Sequence, residues 1–255
     1  MLASLQSGLP PIPILVVGAI MVFLAGVLRG FSGYGFALAA VPLLSLISPP
    51  AEVVPFALLL QLFVGVSGLG EAVQTCDWRS VRLLTIGAVI ATPLGIWALT
   101  AFPENLVRLL IAIVVGLGVV VLASGLKLPA HNSRTSVLSF GAVAGLFNGL
   151  AGIPGPPVIA FYLASPLGSA CSRASMIVLF LFTSAAAMVP LFLVGALSWG
   201  SLALSVAGIP IVFAGSWVGT ELHRRSSEAV YRWAGIIALS ATALMTAVKA
   251  ASGLL

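Results

Sequence analysis

The chain has 255 residues, of which 60% are hydrophobic and only 7% charged, and its mean hydropathy is +1.21. Its 11 Lys and Arg and 6 Asp and Glu are too few to cover a water-soluble domain of this size, where about a quarter of residues are ordinarily charged. Soluble enzymes, nucleic-acid binders and secreted disulfide scaffolds are excluded, and the net charge of +5 reads as the Arg excess of short cytoplasmic loops.

From the N-terminus there is neither a basic n-region nor a small-residue cleavage site, so Pro11 onward reads as a retained membrane segment. The apolar runs lack period-2 alternation, and backbone groups in hydrocarbon must be satisfied internally, so the segments are helices. The first run, Ile12 to Ile47, exceeds one span and is broken at its middle by Arg29-Gly30-Phe31-Ser32-Gly33-Tyr34-Gly35. Val53–Leu69, Val81–Ala101 and Leu106–Gly125 follow, each near the roughly 20 residues that cross a bilayer. A polar stretch, Lys127 to Arg134, separates the halves, and the pattern then restarts. A broken run from Val137 to Ala164 precedes Ser175–Leu197, Ser201–Leu222 and Ala229–Val248.

The halves resemble each other residue by residue. Gly26, Gly30 and Gly33 match Gly145, Gly149 and Gly152 at a constant offset of 119 residues. Trp78 falls opposite Trp199, Gly95-Ile96-Trp97 opposite Gly215-Ser216-Trp217, and Val107-Arg108 opposite Tyr231-Arg232. This predicts a first transmembrane repeat over residues 1–125, a cytoplasmic linker over 126–135 and a second repeat over 136–255. If each broken run enters and returns to its own face as a pair of short helices, most basic residues fall on one side. Arg79, Arg82, Lys127, Arg134, Arg173, Arg224, Arg225 and Arg232 share it, and Arg108 and Lys249 lie opposite. The fold expected is therefore an all-α membrane protein of two inverted-topology repeats. Each repeat holds a broken, re-entrant helix pair followed by three transmembrane helices, with both termini periplasmic.

Glycine frees the backbone, and proline removes a donor and blocks the preceding turn, so both breaks mark unwound chain at membrane depth. Interrupted helices at matching places in two repeats point to a transport site. The new helices, starting near Tyr34–Phe36 and Pro156–Pro157, would turn free amides and positive dipole ends toward the centre. That is an anion cradle. Arg29 adds a full positive charge, has no acidic neighbour in sequence, and would be neutralised by an anionic substrate. The expected substrate-binding residues are Arg29, Ser32, Gly33, Tyr34, Gly35, Phe36, Asn148, Gly149, Gly152, Ile153, Pro154, Gly155 and Pro156, with Pro157 beside them. Their simpler reading is structural: Arg29 bonding freed carbonyls or snorkelling, and Ser32, Tyr34 and Asn148 gluing helices together. Gln61 and Thr183-Ser184 have a weaker claim, and Glu52 and Glu71 read as interfacial. Cys76 and Cys171 share no metal-ligand spacing and read as free thiols, with a disulfide left open.

No enzyme signature is present: there is no zinc-binding His-Glu-x-x-His run, no P-loop and no intramembrane acidic pair. No cofactor or metal is expected. The expected partners are a small anionic, sulfite-like substrate and the lipid bilayer, with no nucleic acid, and self-association into a homo-oligomer is left open.

Gly26 to Phe36 and Gly145 to Pro157 resemble the duplicated motifs of the TauE/SafE sulfite exporter family of bacterial membrane proteins, and the later Gly-x-Trp pieces are similar too. The likeness covers almost the whole chain. It implies a transporter exporting sulfite or a related sulfur oxyanion or organosulfonate across the bacterial inner membrane, by alternating access at a midplane site. It does not separate sulfite from thiosulfate, sulfoacetate or a small carboxylate. Pro154 and Pro156-Pro157 depart from the glycine-rich form of the second motif, which bears on backbone geometry there. Competing readings are a non-transporting membrane assembly or sensor subunit, and a carrier of another small solute. A cation carrier would need carboxylates at membrane depth, which are scarce here.

Overall fold

The computed structural model describes residues 11–32, 35–124, 133–225 and 228–252. Among them there is no strand, and the helices are α1 (Ile12–Ser32), α2 (Phe36–Leu44), α3 (Pro50–Val66), α4 (Leu69–Thr75), α5 (Trp78–Ala101) and α6 (Glu104–Ser124) in the first half. The second half holds α7 (Arg134–Ala151), α8 (Gly155–Ala164), α9 (Ser169–Leu193), α10 (Trp199–Arg225) and α11 (Glu228–Ser252). Among the described residues five helices are long and apolar enough to cross a membrane, or six if α3 and α4, bent by 75°, count as one span. Large apolar side chains on their outer faces stay open, including Ile90, Leu94, Phe192 and Trp217. A water-soluble surface does not carry so continuous an apolar shell. The chain is a multi-pass, all-helical membrane protein.

The breaks fall later than the sequence suggests. Helix α1 runs through Arg29 and Gly30 to Ser32, and α7 runs through Gly149 to Ala151. With 21 and 18 residues, these arms extend about 32 and 27 Å, so neither pair consists of two short helices. Each is a long arm and a short return, α2 having 9 residues and α8 10. The expected span Val53–Leu69 also ends early, at Val66, where Gly68 (φ +86°) turns the chain into α4.

Glycines set the tightest helix pairs. A Cβ on Gly30 would lie 2.0 Å from the Ser216 carbonyl oxygen, and one on Gly26 2.8 Å from that of Val212, so α1 and α10 meet backbone to backbone. In the same way Gly145 packs on Ala88, Gly149 on Thr92 and Gly95 on Leu146, which joins α5 to α7. Small residues permit this approach, and in lipid such contact is a main source of helix association. Both pairs run parallel, since contact positions rise together along the two chains.

Helices α3 and α9 cross antiparallel at the centre, with Gln61 Nε2 donating to Ser184 Oγ (3.0 Å) and Gly65 against Leu181. At one end of the molecule the Asp77 amide donates to Ser175 Oγ (2.9 Å), tying the starts of α5 and α9 together. Arg79, Arg82 and Arg173 therefore share that end, joined by Arg134 through the α5–α7 pairing. At the other end, Arg108 Nε donates to the Ser45 carbonyl (2.9 Å) and Lys249 Nζ donates to the Leu46 carbonyl.

Candidate substrate site

The two short returns begin inside the molecule. Helix α2 starts after Gly35, whose φ of +106° reverses the chain, with no side-chain cap. Its first residues, Phe36, Ala37 and Leu38, are buried, and Ala39 is the first to donate back, to the Gly35 carbonyl at 3.3 Å. An α-helix leaves such leading amides without an intrahelical acceptor. Three backbone donors and the positive dipole end thus lie in the interior.

Helix α8 solves the same problem in another way. Helix α7 ends in a Schellman-type turn at Gly152 (φ +66°), whose amide donates to the Asn148 carbonyl (2.8 Å) while that of Ile153 donates to Phe147 (3.3 Å). Pro154 is then the N-cap, and Pro156 and Pro157 follow Gly155, all of them buried. Proline carries no amide hydrogen, so this buried helix start strands almost no donors. The cradle expected on both sides is therefore unequal. At the second break, Gly155 alone of the first three residues of α8 keeps an amide hydrogen.

The two starts converge. Around Gly118, two-thirds of the way along α6, a Cβ would lie 3.2 Å from Pro156 Cγ and 3.4 Å from Leu38 Cδ1. Phe36, Leu38 and Ile153 belong to one buried core with Leu58 of α3. Gly152 closes it, facing Val54 and Leu58.

Arg29 lies in the last turn of α1, just ahead of the first break and partly buried. Its Nη2 donates to the Val64 carbonyl (2.8 Å), which also receives Ser67 Oγ (2.7 Å). Val64 sits in the last turn of α3, where carbonyls lose their helical partners, so Arg29 lies against the negative ends of two helices. A guanidinium has five N–H donors, and among the described residues this bond uses one. Asn148 is fully buried, and its Nδ2 donates to the Thr183 carbonyl (3.1 Å).

Arg29 and Asn148 thus both reach the α3–α9 crossing. Gly149 faces α5 instead and serves helix contact there. Ser32 ends α1 and is described in backbone only, while Gly33 and Tyr34 lie outside the described residues. The crossing also gathers residues that the sequence ranked low, since Gln61 and Ser184 bond each other beside Thr183. The α3–α4 bend that supplies the Val64 carbonyl is absent from the expected single span Val53–Leu69. Its signal was Gly65-Val66-Ser67-Gly68 at the end of an apolar run.

Among the described residues no group of three or more His, Cys, Asp or Glu is placed to hold a metal ion.

The family model described as "Sulfite exporter TauE/SafE" matches residues 18–246. The chain is similar to a protein named "Probable sulfite/organosulfonate exporter TauE" from Cupriavidus necator. The two are 24% identical over 214 residues, covering 80% of this chain and 82% of the relative. No solved structure matches.

Proposed function

Since the chain belongs to the TauE/SafE sulfite exporter family, a family of transporters and not of enzymes, we propose that it exports sulfite or a related sulfur oxyanion or organosulfonate across the bacterial inner membrane. The anion binds between the two helix starts at mid-membrane, against the Phe36–Leu38 amides, with Arg29 neutralising its charge. The observation that carries this reading is the convergence of α2 and α8 beside Gly118, with uncapped donors on α2 and next to none on α8. Such a helix start favours negative charge.

The halves act as inverted repeats that rock about this site. Support comes from their reciprocal packing: α1 rests on α10 as α7 rests on α5, and α2 on α11 as α8 on α6. Support also comes from helix direction, because α1 runs toward the arginine-rich end and α7 starts from it. That end is cytoplasmic, which leaves both termini periplasmic.

The rival reading, a membrane subunit that transports nothing, draws on the Arg29–Val64 bond, which suits a purely structural arginine. Counterflow separates the two. Proteoliposomes preloaded with unlabelled sulfite are expected to accumulate labelled sulfite transiently, and accumulation no greater than in empty liposomes overturns the transport reading.

A further inference from the structure

Asn148 carries an unmet need. It is fully buried, and among the described residues its Oδ1 has no hydrogen-bond partner. The amide cannot be turned to relieve this. Its Nδ2 faces the Thr183 carbonyl at 3.1 Å, and a carbonyl only accepts, so the oxygen must point elsewhere. A buried acceptor without a donor is costly, and native proteins retain few of them. By sequence Asn148 is also the second-half counterpart of Arg29, so the orphan oxygen occupies the position where the first half keeps its charge.

We infer that Asn148 Oδ1 accepts a hydrogen bond from the transported anion, so the species carried is a monoanion that retains one O–H or N–H donor. This rests on the transport reading above. Two features point to it. Arg29 is the one charged side chain among the residues expected to contact the anion, with Arg173 of α9 acting on it electrostatically, so one negative charge is matched at the contact itself. A fully deprotonated oxyanion offers acceptors only, and would set oxygen against oxygen at Asn148. Hydrogensulfite satisfies both requirements, and dianionic sulfite satisfies neither. A hydroxyl-bearing sulfonate also fits, whereas a simple alkanesulfonate matches the charge and leaves Asn148 unpaired.

The test uses two probes of equal charge and similar size, 2-hydroxyethanesulfonate and ethanesulfonate, as competitors of labelled sulfite counterflow. Wild-type protein is expected to favour the hydroxylated probe about tenfold, the scale of one neutral hydrogen bond. Asn148→Leu is expected to bring the ratio near one and to weaken sulfite exchange by a comparable factor. Equal competition in wild type, or a preference that survives in Asn148→Leu, overturns the inference and leaves transport standing. If Asn148→Leu does not fold, the wild-type ratio decides alone, checked by the thermal stabilisation each probe gives. Absence of counterflow with sulfite and both probes overturns the transport reading, and this inference with it.

Discussion

Arg29 and Asn148 stand 119 residues apart, and each donates to a backbone carbonyl 35 residues further along, at Val64 (2.8 Å) and Thr183 (3.1 Å). The same bond is therefore made twice, from the arm before each break to the helix after each return. One copy carries a charge and the other does not. The arms before the two breaks are thereby fastened to the central α3–α9 crossing.

The glycine contacts give the first prediction. A Cβ at residue 30 or 145 would lie 2.0 or 2.1 Å from a backbone oxygen on the facing helix, whereas one at Gly116 meets nothing within 4 Å. Gly30→Ala and Gly145→Ala are each expected to lower stability by about 1–3 kcal/mol, the usual cost of overpacking, with Gly116→Ala near neutral. Thermal unfolding in detergent ranks the three, and equal melting temperatures contradict the helix pairing.

A second prediction concerns the thiols. Cys76 and Cys171 are free, and both are partly exposed. The Asp77 amide next to Cys76 donates to Ser175 Oγ, which donates to the Cys171 carbonyl (2.8 Å), so one hydroxyl bridges the two cysteine neighbourhoods. A short bismaleimide is expected to join them. In a chain carrying a protease site within residues 126–135, the cut halves then migrate as one band, and Cys76→Ser releases them. Separate bands after crosslinking of the unmutated pair contradict the docking of α5 on α9.

Arg108 yields a third. It is 8% exposed and donates to the Ser45 carbonyl, to Asn105 Oδ1 and to Glu104 Oε1 (2.5 Å), holding the end of α2 to the start of α6. Glu104 itself is half exposed. Arg108→Met is expected to cost about 1.5–3 kcal/mol, the range for hydrogen bonds made by a charged group. Glu104→Gln costs much less, because water screens that side of the pair. Comparable losses in the two variants contradict this division.

The sequence made the helical class and both interruptions legible because proline and glycine act locally. The three prolines at 154, 156 and 157 announce a helix start from the letters alone. Gly30 and Gly149 misled for the opposite reason. A glycine that breaks a helix and a glycine that lets another helix approach are the same letter, and these two are helical contact points on α10 and α5. The proline run marks the second helix start, but those prolines delete the donors that an amide cradle needs. The partner carbonyls of Arg29 and Asn148 were not legible, since they depend on how the α3–α9 crossing packs and on a bend at Gly68. The repeat offset had nevertheless already paired the two donors.

The most direct test of the central claim is labelled-sulfite counterflow into proteoliposomes carrying Arg29→Ala, beside wild type at matched incorporation. If the anion is neutralised at the first helix start, the variant loses nearly all counterflow, while Arg29→Lys keeps a part of it. Accumulation by Arg29→Ala equal to wild type would contradict the account and leave Arg29 as a fastening for Val64.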